Sequence, residues 1–568
     1  MPKKIKRIVD PKIIKDLRDL VITNAEKFGD QPLYHYKENK EVVTFSHNQQ
    51  LEQMNALGTA FAKLGLMGKH IAVIGETHPN YMTTYFATVN GGGVIVPLDR
   101  ELELEQIANF CNVAEVEAVV YTKGMNGKLI PLADKMPGVR YFIPIHGELE
   151  TAESEKLIKF SEMLNIGREE LANGNRAFLD HEIDMEKMCA ILFTSGTTGT
   201  SKGVMLSQKN LTTATNSACQ TMQVDHRNTM VTVLPIHHTY ECTCEQLALP
   251  NCGSQVYINE GLKNTMKSIN YFKPNTLVLV PLYVETMYKR LWAEIDKKGM
   301  TKKVKFAMKL SNALLKVGID LRDKLFAQVK AGFGGNLRSI ICGGAPLAPK
   351  LVQDFETFGI TIIEGYGITE CSPLVAVNDP NNVVLHSVGF PVFGCEVKID
   401  KENPEDETGE ILAKGDNVML GYYKNPEATA EVFTEDGYFR TGDIGFIDKK
   451  GAVHITGRKK NVIILSNGKN VFPEEVEEHM ADCDTISEIV VLGRENTNKE
   501  VVVTAIVYPN YDVVGEDTPA DKVLEAVKAQ IFEVNRKLPS FKQVREVEIR
   551  TTEFEKNTSK KIKRFLIK

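Results

Sequence analysis

Along most of this chain, short apolar runs rich in β-branched side chains alternate with longer stretches whose apolar positions recur at helical spacing. His70-Ile71-Ala72-Val73-Ile74, Val94-Ile95-Val96, Ala118-Val119-Val120-Tyr121, Cys189-Ala190-Ile191-Leu192-Phe193, Thr229 to Leu234, Leu277-Val278-Leu279-Val280 and Ser339-Ile340-Ile341-Cys342 read as strands. Helix-length segments such as Gln50 to Leu64 lie between them. Short strands alternating with helices predict a large layered α/β domain with mostly parallel sheets. After Arg458 the texture changes. Glu474 to Met480 and Ala520 to Arg536 read as helices, and Ile489 to Leu492 and Val501 to Val507 as paired strands, which predicts a small C-terminal α+β domain. Neither part contains an internal repeat or a low-complexity tract.

A chain of 568 residues, 43% hydrophobic, exceeds what one core holds, so two or more domains are expected. The formal charge of −6 argues against a general nucleic-acid binder. The ten cysteines follow no regular spacing, and Cys242 and Cys244, the closest pair, do not match a CxxC metal or redox element. A reduced, cytoplasmic setting fits. Lys3, Lys4, Lys6 and Arg7 stand near the start, but alternating charged and apolar residues follow where a signal peptide has its apolar core. No run reaches the ~18 apolar residues of a spanning helix.

The first candidate chemistry lies directly behind the 189–193 run, where residues 194–203 read TSGTTGTSKG. Its glycines let the backbone turn sharply and aim N–H groups inward. Thr194, Ser195, Thr197 and Thr198 add hydroxyl donors and Lys202 adds charge, a combination that suits a polyphosphate. Taken alone, such a stretch reads more readily as a flexible surface loop. The spacing excludes the phosphate loop of P-loop ATPases and GTPases, which needs four residues between its first Gly and a Gly-Lys-Ser/Thr; here Lys202 follows Ser201.

Four further segments follow in order: Gly365-Tyr366-Gly367-Ile368-Thr369-Glu370, Tyr438-Phe439-Arg440-Thr441-Gly442-Asp443, Gly457-Arg458-Lys459-Lys460 and Lys561-Ile562-Lys563-Arg564. With the 194–203 loop they resemble the motifs of the adenylate-forming superfamily of acyl-CoA synthetases, adenylation domains and firefly-type luciferases. The long-chain fatty-acyl-CoA synthetases are nearest. The resemblance implies an ATP- and acyl-binding domain over 1–459 and a mobile domain over 460–568 that carries a catalytic lysine. It also implies ATP, Mg²⁺ and coenzyme A. Ser195, Gly196, Thr197, Thr198, Gly199 and Lys202 would clasp the β- and γ-phosphates, and Thr369 would touch the α-phosphate. Glu370, with Thr194, would ligate Mg²⁺, which prefers hard oxygen ligands. Gly344, Ala345 and Pro346, with Tyr366 and Gly367, would form the adenine slot. Asp443 would accept from both ribose hydroxyls, with Arg458 beside it. Lys561 would stabilise the charge that builds around the α-phosphate in the transition state. The tail departs from the commonest family form, in which Gly precedes that lysine; Ser559-Lys560-Lys561 stands here, so Lys560 is a rival. Composition alone would read this end as a basic solvated tail.

The second half-reaction requires movement. By resemblance the C-terminal domain turns about Lys460 and brings up the loop 466–470, whose Gly468 would line a tunnel for the pantetheine arm of CoA. His238, in Leu234-Pro235-Ile236-His237-His238-Thr239-Tyr240, resembles the histidine that faces the substrate carboxylate or acyl tunnel, and joins Lys561 and Thr194 in the implied catalytic set; a buried structural histidine is the alternative. Between Tyr283 and Gly343 lies a Lys-rich insertion, Lys302 to Lys330, read as helical and resembling that of long-chain enzymes. The implied substrate is therefore a medium- or long-chain fatty acid, activated to acyl-AMP with release of pyrophosphate and passed to the thiol of CoA. A phosphopantetheinyl carrier protein is the alternative acceptor, and a non-catalytic nucleotide-binding protein is the rival of a different class. Residues 297–330 hold ten Lys/Arg against two acids, and Phe306, Leu310, Ala313, Leu314 and Val317 recur at helical spacing. This segment reads either as an interfacial helix on anionic lipid, making the protein membrane-peripheral, or as an apolar stripe packed on its own protein with lysines outward. The second is expected.

Overall fold

Strands with apolar residues on both faces need cover on both sides, and helices between successive strands supply it. The computed structural model describes residues 13–146, 154–194, 201–222, 224–465, 469–480, 483–497, 499–556 and 562–567. In chain order its strands are β1 (Pro32–Glu38), β2 (Glu41–Ser46), β3 (His70–Ile74), β4 (Val94–Leu98), β5 (Val116–Tyr121), β6 (Tyr141–Pro144), β7 (Met188–Thr194), β8 (Lys202–Ser207), β9 (Thr229–Val231), β10 (Gln255–Tyr257), β11 (Thr276–Leu279), β12 (Ser339–Gly343), β13 (Thr361–Gly367), β14 (Leu374–Val377), β15 (Phe390–Pro391), β16 (Cys395–Asp400), β17 (Gly409–Gly415), β18 (Gly421–Tyr422), β19 (Phe439–Ile447), β20 (Val453–Arg458), β21 (Ile463–Ile464), β22 (Asn470–Val471), β23 (Ile486–Glu495), β24 (Val501–Pro509) and β25 (Glu546–Ile549). They fall into two units, Met1–Glu396 with Ala413–Phe439, and Val397–Leu412 with Arg440–Lys568.

The first unit holds three mixed sheets. One has the order β18-β8-β7-β4-β3-β5-β6 and is parallel from β7 to β6, then antiparallel where β8 and β18 extend it. The second, β11-β12-β13-β14-β15, is parallel across β11, β12 and β13 and antiparallel beyond. The third has the order β2-β1-β10-β9. This is the expected layered α/β architecture, with parallel cores and antiparallel edges. Ile71, Ala72, Val73 and Ile74 of β3 have no exposed surface. The helix His47–Lys63, which packs beside them, starts at Ser46: the Ser46 side chain accepts from the Gln49 N–H while the Gln49 side chain accepts from the Ser46 N–H. Such a reciprocal cap stabilises a helix start by about 1 kcal/mol.

In the second unit β23, β24 and β25 form one sheet. The helix Ala520–Asn535 lays Val523, Val527 and Ile531, spaced four apart, into a common core with Val491, Val503, Ala505 and Val507. Most residues of the sheet β16-β17-β19-β20 also belong to this unit. Helices and a mainly antiparallel set of strands give the expected α+β character.

Three expectations change. The strand read over 229–234 ends at Val231, since Pro235 has no N–H for a ladder. The insertion 302–330 is not one helix: Thr301–Lys316 stops before Gly318, at φ 82°, and two short helices, Arg322–Leu325 and Ala327–Ala331, follow. The stripe of this helix expected to pack inward instead faces solvent, with Phe306 68% and Val317 71% exposed. Among the described residues no helix is long and apolar enough to cross a membrane.

Candidate active site

Parallel strands bring their C-terminal ends to one edge of a sheet, where ligand sites commonly form. Gly343 and Gly365 are register partners in β12 and β13, so the 344–346 and 366–370 segments leave that edge side by side. Gly344 has φ 88°, a conformation that disfavours any side chain, and Gly344, Ala345 and Pro346 are exposed. Tyr366 is buried and pairs with Ala376 of β14. A Cβ on Gly367 would stand 2.1 Å from the Pro373 carbonyl oxygen, so only glycine admits the tight turn that presents Thr369 and Glu370.

Glu370 Oε1 accepts from the Tyr422 hydroxyl at 3.0 Å, and its backbone carbonyl accepts from the Met419 N–H at 2.8 Å. The buried Asn417 amide donates to the carbonyls of Cys371 and Leu374, at 3.3 and 2.6 Å, and stiffens the same turn. Burial first, then the Glu370 carboxylate, hold the Tyr422 phenol well above its ordinary pKa, so it remains a donor. Lys202 Nζ stands 4.8 Å from the centroid of the Tyr422 ring, within cation–π range. Thr194 and Lys202 are cross-strand partners on β7 and β8, with Thr194 Oγ1 3.5 Å from the Lys202 carbonyl. Thr194, Lys202, Tyr422 and Glu370 thus form one chain of contacts. Ser195, Gly196, Thr197, Thr198 and Gly199 lie outside the described residues.

Glu370 fits the role of a Mg²⁺ ligand. The partner of its Oε1 is a neutral phenol, which leaves carboxylate lone pairs for a hard cation. Among the described residues no group of three or more His, Cys, Asp or Glu could hold a metal; a Mg²⁺ bound mainly by phosphate and water needs no such cage.

The Tyr240 hydroxyl donates to the carbonyls of Leu279 and Ile341, at 3.3 and 3.1 Å. This ties the preceding histidines to the edge formed by β11 and β12. His238 is half-buried, with its ring centroid 4.1 Å from that of His237. His237 Nε2 lies 3.5 Å from Asp99 Oδ2. Burial lowers the His237 pKa against the opposing pull of Asp99, which favours a neutral ring. At Tyr240 the chain enters a π-helix, Tyr240–Leu247.

In the second unit the hairpin of β19 and β20 makes Asp443 and Arg458 direct register partners. Arg458 Nε and Asp443 Oδ1 form an ion pair at 2.6 Å, with Asp443 3% exposed. The Asp443 N–H donates to Thr441 Oγ1 at 3.1 Å, and the Thr441 hydroxyl donates to the Ile411 carbonyl at 2.7 Å. Buried Glu410 gathers Arg440 at 3.2 Å, Lys459 at 3.0 Å and the Gly442 N–H at 3.2 Å. Lys460 sits in the single turn Lys459–Asn461. Gly468 and Lys561 lie outside the described residues. Beyond Lys561, Arg564 pairs with Glu477 and donates to the Val491 carbonyl at 3.1 Å.

Sequence reading missed Tyr422, Asn417 and Glu410. Tyr422 reaches Glu370 through strand pairing between β18 and β8, and nothing in its local sequence announces that. Glu410 offered little signal, an acid leading the apolar pair Ile411-Leu412 just after the acidic run Glu405-Asp406-Glu407.

Hydroxyls, a lysine and a carboxylate are linked beside the C-terminal edge of parallel strands on a mixed α/β fold, a set of groups suited to a phosphate-bearing ligand. The chain belongs to the AMP-binding enzyme family: that family's model matches residues 21–423, and the model of the AMP-binding enzyme C-terminal domain matches 460–568. The family activates acids through acyl-AMP, and its acyl-CoA synthetases use ATP, Mg²⁺ and CoA. The chain is 27% identical to the chloroplastic long-chain-fatty-acid–[acyl-carrier-protein] ligase AEE15 of Arabidopsis thaliana, over 93% of this chain and 80% of that protein. It is 29% identical to fatty acyl-CoA synthetase A of Dictyostelium discoideum, over 83% and 72%. Among solved structures, the anthranilate CoA ligase AuaEII shares the fold with a TM-score of 0.76 at 19% identity, over 98% of this chain and 96% of that one.

Proposed function

We propose that this enzyme joins a long-chain fatty acid to ATP, giving acyl-AMP and pyrophosphate, and passes the acyl group to the thiol of coenzyme A. The observation that carries the reading is the contact chain Thr194, Lys202, Tyr422 and Glu370 at the ends of the glycine-rich loop. The fatty acid is supported by the names of the two relatives and by the helical insertion after Tyr283. In the first step a carboxylate oxygen attacks the α-phosphorus, the bond to the bridging oxygen breaks, and pyrophosphate leaves. Lys202 and the loop hydroxyls would hold the β- and γ-phosphates, and Glu370 with Thr194 would hold Mg²⁺. When bound, Mg²⁺ supplies charge neutralisation on phosphate oxygens. Tyr366 and residues 344–346 would flank adenine, and Asp443 would accept from the ribose hydroxyls with Arg458 at its side. His238 would face the substrate carboxylate. Lys561 would supply positive charge where the transition state needs it.

In the second step the CoA sulfur attacks the acyl carbon and AMP leaves. Lys460 would be the hinge for the change between steps, and Gly468 would line the path of the pantetheine arm. We place the reaction in the cytoplasm. A second reading, transfer to an acyl carrier protein, is favoured by the likeness to the Arabidopsis ligase. ATP–pyrophosphate exchange across acids from acetate to stearate, then CoA against a holo-carrier protein as acceptor, tests both choices. Exchange with no fatty acid would refute the proposal, and acylation of the carrier alone would select the second reading.

A further inference from the structure

The helix Thr301–Lys316 and the turn after it present an apolar face to solvent. Phe306 is 68% exposed, Leu310 40%, Val317 71% and Ile319 47%, and Ala313 is exposed as well. At roughly 100° per residue, Phe306, Leu310, Ala313 and Val317 fall within an arc of about 60°. Val304 and Ser311, 8% and 1% exposed, lie on the opposite side. Val304, with Ala307 and Met308 beside it, seats the helix on a core that includes Leu291, Ile295 and Phe355. The helix is therefore apolar on two sides and covered on one.

Lysines border the open side. Lys302, Lys309 and Lys316, seven residues apart, form a row along one edge of the stripe, and Lys303 stands on the other. None of these four pairs with an acid among the described residues. Three basic residues just outside the helix are paired: Lys298 with Glu294 at 3.5 Å, Arg322 with Asp320 at 2.8 Å, and Lys330 with Asp323 at 2.6 Å. Four lysines without an acidic partner among the described residues thus border the exposed stripe.

We propose that this face seats on an anionic lipid bilayer, with the apolar row entering the boundary between head groups and acyl chains and the lysines meeting lipid phosphates. An apolar line edged by cations gains from hydrophobic insertion and from charge neutralisation at once on a negatively charged surface. A second copy of this chain is a poor occupant, because a twofold contact through the same patch sets lysine rows against each other. The inference does not depend on the acid activated, and its test uses no substrate.

The full chain is sedimented with vesicles of phosphatidylcholine alone or mixed with phosphatidylglycerol, at roughly 0.05 and 0.5 M salt. Binding is expected to mixed vesicles only and to weaken with salt. Lys302→Glu, Lys309→Glu and Lys316→Glu together are expected to lower partitioning about a hundredfold or more, and Phe306→Ser with Val317→Ser at least tenfold. All five side chains are exposed, so the melting temperature stays unchanged; if the Glu variant does not fold, the Lys→Gln triple is used. Equal binding to both vesicle types, or binding that ignores both sets of substitutions, overturns the proposal. So does a change of oligomeric state, or loss of binding to an acidic carrier protein, with vesicle binding intact.

Discussion

A pair of buried acids in each unit is compensated differently. In the first unit Glu241 and Glu245, one turn apart on the π-helix Tyr240–Leu247, have no exposed surface and no cationic partner among the described residues. Burial raises Glu241 to about 7 and Glu245 well above its ordinary value. In the second unit Asp443 and Glu410 are 3% and 6% exposed, yet Asp443 faces Arg458 and Glu410 faces Arg440 and Lys459. Burial without a cation disfavours the charged form of a carboxyl, and a guanidinium or ammonium beside a buried carboxyl offsets that cost. Glu370 lies between these extremes, half-buried with a phenol as its partner, an arrangement suited to a ligand that brings its own positive charge.

The contrast breaks most readily at Glu370. Glu370→Gln preserves an acceptor for Tyr422 but removes the charge, and is expected to slow acyl-AMP formation by about 10²- to 10³-fold, as measured by pyrophosphate exchange over a Mg²⁺ titration. A change within threefold would show that the charge is not used. Asp443→Asn should raise the KM for ATP by about tenfold to a hundredfold, the scale of one or two charge-assisted hydrogen bonds. Its effect should shrink with 2′-deoxy-ATP; an equal loss with both nucleotides would separate Asp443 from the ribose. Lys460→Pro is expected to slow thioester formation about tenfold more than adenylation, because it stiffens a hinge used between the steps. Equal impairment of both would count against a hinge there.

The smallest effect concerns stability. Glu241 ionises near 4.5 when unfolded and near 7 when folded, so unfolding releases a proton between those values. The stability this group contributes is present below about pH 4.5 and is lost as pH rises towards 7, by at most about 3 kcal/mol. Glu241→Gln retains an acceptor for the Gln246 amide, which now donates to Glu241 Oε1 at 3.0 Å. Denaturant unfolding at pH 5 and pH 8 should therefore show a flatter pH dependence in the variant; identical slopes would mean that Glu241 is already ionised in the folded chain.

The parallel strands were legible because β3, β4, β5 and β12 are nearly continuous apolar runs, which a two-faced sheet requires. The Gly365 to Glu370 and Tyr438 to Asp443 motifs were legible because their glycines and acids are close in sequence. Tyr422 was not, since a pairing of β18 with β8 some 200 residues away places it. The helix 301–316 was half-legible. Periodicity revealed the stripe through Phe306 and Val317 but not the opposite side, where the buried Ser311 gives no apolar signal. The coil after Lys316 was signalled only by Gly318.

The central claim is that Lys561 supplies charge to the step that makes acyl-AMP and to no other. Its most direct test is Lys561→Ala with the half-reactions measured apart: acid-dependent AMP formation from ATP, and thioester formation from supplied acyl-adenylate and CoA. Loss of the first by about 10³-fold with the second within a few-fold of the unaltered chain is the predicted result. Undiminished acyl-AMP formation in the variant would contradict the account.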